Sequence, residues 1–209
     1  MVHPIGKRFF KLIISPFIKK IDGLENVPAG KNFIIAANHS SYMDHLIIAS
    51  TFVNHLNKRM HFLAKKEHFE GFFQKRFHEW ADAIPLDRQA GGKEALKWAI
   101  EALKKGKIIS IYPEGTRTLD GKVHKGKTGI ARLALAAKVP VLPVGIIGTF
   151  EMMPKGKRLP GLRRAAMRIG RLMYFDDYYG KENDPDVLRK ITDDIMNNIA
   201  RLAGKKYEY

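Results

Sequence analysis

The chain has 209 residues, enough for one packed domain with at most a small appendage. It contains no cysteine, which excludes disulfides, thiolate metal sites and a cysteine nucleophile. Lys and Arg number 37 against 21 Asp and Glu, and the resulting +16 calls for an anionic partner: nucleic acid, an anionic membrane surface or a phosphorylated substrate.

Residues 4–21, PIGKRFFKLIISPFIKKI, set Phe9, Phe10, Ile13, Ile14, Phe17, Ile18 and Ile21 on one side of a helical wheel, with Arg8, Lys11 and Lys19 opposite. The pattern predicts a basic amphipathic helix, and two uses stay open: lying in a membrane interface, or packing on the core with a solvated basic face. Pro16 works against one straight helix. No stretch reaches the ~18 uninterrupted apolar residues of a membrane span, and the start lacks a signal-peptide cleavage site. The expectation is a cytoplasmic protein with an N-terminal contact segment, 1–21, and a single globular domain, 22–209.

Within that domain the runs NFIIAAN, MHFLAKK, KIISIYP and VPVLPVGII are short, rich in β-branched or aromatic residues and bounded by turn formers, which predicts buried strands. Pro140 and Pro143 place the last of them at an edge or strand end. Between the strands, GGKEALKWAIEALKKG carries Ala95, Leu96, Ala99, Ile100 and Leu103 at helical spacing, with Gly106 as a C-terminal cap. The segment from Asp184 opens with a cap and Pro185, then repeats Leu188, Ile191, Ile195, Ile199 and Leu202. Strands alternating with helices predict an α/β domain around a mixed or largely parallel sheet flanked by helices. Ligands of such folds collect where strands end, and His39, Arg88 and Glu114 each follow a predicted strand.

NHSSYMD places His39 five residues before Asp44 at a strand-to-helix junction. A carboxylate on one ring nitrogen fixes the tautomer of a general base. Ser41-x-x-Asp44 equally reads as a capping box for the helix that follows. Ser40 and Ser41 stand in no nucleophile elbow, so a base here would activate the substrate's own hydroxyl. His39 and His45 form no H-E-x-x-H and no metal site is expected. In YPEGTRTLDG, Pro113, Gly115 and Gly121 force turns that display Glu114, Thr116 and Arg117. An arginine beside a Gly-Thr turn suits a phosphate, while a surface turn with Glu114 paired to Arg117 is the plain alternative. Asp87-Arg88 follows Ile84-Pro85-Leu86, and Lys125 and Lys127 lie in a glycine-punctuated loop.

Taken in order, NHSSYMD, IPLDR, YPEGTRT and VPVLPV resemble the four motifs of the glycerolipid acyltransferases, the family of the lysophosphatidic acid acyltransferases, over about residues 22 to 175. Tyr112 stands where the family has phenylalanine, Thr118 where it has serine, and Gly126 where a phenylalanine often precedes the lysine. The resemblance implies acyl transfer from coenzyme A or acyl carrier protein, as co-substrate and with no further cofactor, to a hydroxyl of a lysophospholipid acceptor. It implies His39 as general base and Asp44 as its orienting partner. Arg88, Glu114, Gly115, Thr116, Arg117 and Lys127 would bind the acceptor. Lysophosphatidic acid is the leading acceptor, with glycerol-3-phosphate, another lysophospholipid or a lipid-like amine as alternatives. The basic charge then meets anionic lipid at the inner face of the cell membrane rather than nucleic acid, for which no recognition motif is present.

Overall fold

Phe33 to Ala37 carry only apolar side chains, and all five are fully buried because successive residues of a strand serve opposite faces. In the computed structural model, which describes residues 10–58, 60–65, 84–86, 93–157 and 159–209, the strands are β1 (Ile18–Asp22), β2 (Ile34–Ala37), β3 (Met60–Lys65), β4 (Ile84–Leu86), β5 (Ile108–Ile111), β6 (Val141–Ile147) and β7 (Ala165–Ile169). The helices are α1 (Met43–Leu56), α2 (Lys93–Lys104), α3 (Gly129–Ala137), the single turn α4 (Thr149–Met152) and α5 (Pro185–Ala203). Phe33, Ile35 and Ala37 pack with Ile47, Ile48 and Phe52 of α1. Ile34 and Ala36 face the opposite layer with Ala99 and Leu103 of α2, Leu133 of α3 and Ile195 of α5. The sheet is thus sandwiched between helices, as the sequence predicts.

Strand order is β1-β7-β6-β2-β5-β3-β4. Every neighbouring pair is parallel except β6 with β7. The carboxyl ends of β2 to β6 therefore share one edge. Because β7 runs back antiparallel to β6 and β1 is parallel to β7, the amino ends of β1 and β7 lie at that same edge.

Two expectations are corrected. The single helix over residues 4–21 does not form: a π-helical turn, Phe10–Ile14, and a 3₁₀ turn, Ser15–Phe17, give way to β1, paired through Ile18 with Ala165. Pro16 at the start of the 3₁₀ turn supplies no N–H to continue a helix. The boundary after residue 21 falls inside β1, a strand of the main sheet. Residues 1–9 lie outside the described part. The proline-bearing run, expected at an edge or strand end, is the interior strand β6, with Pro140 just before its start but Pro143 within it. Gly170 N donates to the Pro143 carbonyl at 2.9 Å, just past the end of β7. The reciprocal bond, which proline cannot make, belongs where that pairing has already ended, so no interior ladder bond is lost.

Helix α5 is built as the sequence predicts. The Asp184 carboxylate accepts from Asp186 N and Val187 N, Pro185 occupies the first turn, and Gly204 closes the helix in the left-handed region. No helix among the described residues is long and apolar enough to cross a membrane.

The end of α5 lies against β6 so closely that a Cβ on Gly145 would stand 2.3 Å from Ala203 N. That neighbour is backbone and cannot swing aside. Gly145→Ala should cost about 3 kcal/mol, read by calorimetry as a fall of roughly 6–12 °C in Tm. An unchanged Tm would contradict this packing.

Candidate active site

Four backbone-anchored segments meet at the shared edge. Asn38, the last residue before the histidine, donates through Nδ2 to Ile146 O at 3.0 Å and accepts Ile146 N at 2.7 Å, locking the exit of β2 to β6. The chain then turns, and Asp44 Oδ2 gathers three donors: His39 Nδ1 at 2.9 Å, Ser40 N at 2.7 Å and Ser41 N at 2.8 Å. Since Oδ2 is an acceptor toward both amides, the hydrogen of the imidazole sits on Nδ1 and the lone pair on Nε2. Asp44 is wholly buried, and its Oδ1 has no hydrogen-bond partner.

The two readings of Asp44 thus coincide. Its carboxylate takes the Ser41 amide, half of a capping box, and holds the histidine. The Ser41 hydroxyl accepts Met43 N at 3.1 Å and donates to Met153 O at 2.7 Å, binding the start of α1 to the segment after α4.

The Glu114 loop is stapled to this turn. Glu114 Oε1 accepts His39 N at 2.8 Å, Oε2 accepts His124 N at 2.9 Å, and Thr118 N donates to His39 O at 2.9 Å. Burial pushes Glu114 up to about 7, against the pull of the two backbone donors. The plain pairing of Glu114 with Arg117 is therefore overturned. Arg117 stacks on the Tyr42 ring, with its guanidinium carbon 3.6 Å from the centroid, and its buried Nη1 has no hydrogen-bond partner.

Gly115 has a φ of 72°, and a Cβ there would meet Lys127 Cε at 3.1 Å. Lys127 N donates to Pro113 O at 2.9 Å, so the lysine is laid along the loop. Gly126 lacks a side chain because α5 fills the space: a Cβ would come 2.6 Å from Met196 Cγ. The aromatic commonly found at this place in the resembling family has no room here.

The structure thus brings His39, Asp44, Glu114, Gly115, Arg117 and Lys127 together, with Thr116 exposed on the same loop. Lys125 turns instead toward α5. Burial raises Asp193, but hydrogen bonds from Arg189 and Tyr207, then the Arg189 and Lys125 charges, bring it below its ordinary value. Strand β4 ends at the site's edge, while Arg88 lies outside the described residues.

Sequence reasoning passed over the packing on His39. Tyr112 stacks on the imidazole with centroids 4.0 Å apart and planes at 16°, and His45 stands edge-on to both rings. Burial, with the Asp44 carboxylate adding to it, holds the Tyr112 hydroxyl well above its ordinary range. The signal was the aromatic before Pro113, visible only as a replacement for phenylalanine. His124 was also missed. Its Nε2 lies 2.9 Å from Asp120 Oδ1 and 3.2 Å from Thr118 Oγ1. Hydrogen bonds from Thr118, Lys122 N and His124 hold Asp120 far below the usual carboxylate range.

The α/β sheet thus carries a histidine–carboxylate pair and a partly buried arginine at its strand-end edge, and the comparisons with known proteins give the class, an O-acyltransferase. The model of the Acyltransferase family matches residues 19–147, and the chain belongs to that family. It is 36% identical over 143 residues to the 1-acyl-sn-glycerol-3-phosphate acyltransferase of Bacillus subtilis (strain 168), covering 66% of this chain and 68% of that protein. It is 33% identical over 162 residues to a chloroplastic 1-acyl-sn-glycerol-3-phosphate acyltransferase of Arabidopsis thaliana, spanning 74% of this chain but only 43% of that longer protein. The crystal structure of the 1-acyl-sn-glycerophosphate (LPA) acyltransferase PlsC from Thermotoga maritima superposes with a TM-score of 0.73 at 28% identity, covering 97% of this chain and 80% of the other.

The Glu114 staple sets a pH dependence. The folded carboxyl titrates near 7 against an ordinary 4.5, so the fold binds more protons than the unfolded chain between those values. The group's stabilising contribution is complete below pH 4.5 and is lost as pH rises through about 7. Glu114→Gln does not titrate and leaves one amide facing an NH₂. Urea unfolding across this window should show the wild-type stability falling relative to the variant by about 3 kcal/mol. Parallel curves would rule out the buried protonation.

Proposed function

We propose that the chain transfers a fatty acyl group from coenzyme A or acyl carrier protein to the free hydroxyl of lysophosphatidic acid, giving phosphatidic acid. The observation that carries this reading is the His39–Asp44 hydrogen bond of 2.9 Å, which leaves Nε2 as the ring's proton acceptor. The relatives are named for the acceptor class, and Arg117, whose Nη1 has no hydrogen-bond partner among the described residues, supplies the cation a phosphomonoester needs.

In this mechanism His39 Nε2 takes the acceptor's hydroxyl proton as the oxygen attacks the thioester carbonyl. A tetrahedral oxyanion forms, the C–S bond breaks, and the proton passes from Nε2 to the leaving sulfur. Asp44 holds the ring and balances the imidazolium while it lasts. No residue of the chain is acylated. Tyr112 restrains the ring from its face, and Glu114, Gly115 and Lys127 shape the phosphate side around Arg117, with Thr116 and Arg88 as further contacts. The enzyme works peripherally at the inner face of the cell membrane, where Leu12 and Ile13, 78% and 46% exposed, present apolar surface to lipid.

Thiol release from an acyl thioester with lysophosphatidate tests the scheme, and a chain with no cysteine adds no background thiol. His39→Ala should lose roughly 10²–10⁴-fold in turnover, and full turnover in that variant would sink the mechanism. Arg117→Ala should act mainly on acceptor KM, by roughly 10–100-fold, the size of a lost charge-assisted hydrogen bond. Replacing lysophosphatidate by a neutral monoacylglycerol should erase that difference.

A further inference from the structure

Every exposed leucine and isoleucine among the described residues issues from the edge of the sheet that carries the site. Leu12 and Ile13 precede β1, Leu119 follows β5 on the Glu114 loop, and Leu159 and Leu162 lie between β6 and β7. Leu159 is 74% exposed and Leu162 is completely so. Exposed leucines gathered at one edge of a folded surface mark a contact with another apolar phase.

We propose that the segment of residues 153–164, MPKGKRLPGLRR, is a second membrane-contact element, inserting Leu159 and Leu162 into an anionic lipid interface beside the active site. Its base is fixed: Gly161 N donates to Met152 O at 2.9 Å, Lys157 N to Pro154 O at 3.1 Å, and the Arg164 guanidinium to Ile18 O at 2.7 Å. The Met153 carbonyl also receives the Ser41 hydroxyl, which ties the element to the histidine turn. The leucines are flanked by exposed Lys155, Lys157, Arg163 and Arg164, and the sequence has no acidic residue from Met152 to Phe175.

Charge and composition select the occupant. Apolar tips ringed by cations fit the boundary between acyl chains and anionic headgroups. A second copy of the chain would bring like charges together. A single-stranded nucleic acid would want aromatic platforms, and the segment has none. The Leu12–Ile13 turn and this segment emerge at the same edge, so lipid contact at both points holds His39 and Arg117 against the headgroup layer. The element stands independently of the acyl-transfer reading and can be tested in catalytically dead protein.

The full chain carrying His39→Ala is sedimented with vesicles of phosphatidylcholine alone and of phosphatidylcholine and phosphatidylglycerol in equal parts. Partitioning should favour the anionic vesicles, and adding Leu159→Ser and Leu162→Ser should weaken it roughly tenfold or more at unchanged Tm. Equal partitioning with and without the serines overturns the proposal. As a second readout, Leu162→Cys creates the single thiol of the chain and takes an environment-sensitive fluorophore. Its emission should shift to the blue on adding anionic vesicles, and an unshifted, water-like emission overturns insertion. If the serines instead convert a dimer to a monomer and leave vesicle binding unmoved, the patch belongs to a second copy and the lipid assignment is wrong.

Discussion

A carboxylate with no exposure to water must be surrounded by donors, and Asp44 meets this demand with a single oxygen that receives an imidazole and two successive backbone amides. Those three bonds dictate the path of residues 39–41. They bend the chain sharply between β2 and α1, and in doing so they fix the ring, its tautomer and the helix start together. Removing the carboxylate would leave two buried amides unpaired as well as a loose histidine, so the fold and the proposed chemistry would fail at the same atom. The turn has little freedom to relax, because Asn38 clamps its entrance to β6 and Ser41 ties its exit to Met153.

The sheet supplies what the turn cannot. Parallel β2, β5 and β6 deliver His39, the Glu114 loop and the segment after Ile147 to one edge, and the antiparallel return of β7 adds the amino ends of β1 and β7. Distant stretches of sequence thereby share a few ångströms of space without any long structured excursion. The same topology gathers the exposed leucines there, so the surface that would face lipid and the cleft that would face its headgroup are consequences of one strand order.

How much of this was legible depends on how local the determinant is. The buried strand β2, the Asp184 cap with Pro185, and the His39–Asp44 pair are set by residues within a few positions of each other, and pattern reading found them. Pro143 was misplaced because proline's penalty depends on which neighbour its missing N–H would have faced, a property of the end of β7 some 25 residues on. Ile18 and Ile21 fit a helical wheel as well as they fit a strand, and only the partner β7 decides between them. The absence of an aromatic at Gly126 was readable as a departure from the family. Its cause, Met196 of α5, was not.

The pairing of Glu114 shows most clearly why a site is more than its motif. An acid three residues before an arginine on a tight loop invites an ion pair, and such a pair would have to be broken before Arg117 could hold a phosphate. Instead both oxygens of Glu114 are consumed by the amides of His39 and His124. The acid is thus turned inward as a staple between the two loops. The arginine is left with a buried Nη1 that has no hydrogen-bond partner among the described residues, held in place by the Tyr42 ring, which orients a guanidinium without neutralising it. Tyr42 itself lies between His39 and Asp44, so the cation proposed to bind phosphate is positioned by the very turn that positions the proposed base. Acceptor phosphate and acceptor hydroxyl would then be registered against one short segment, and this coupling makes their spacing insensitive to movements elsewhere in the fold.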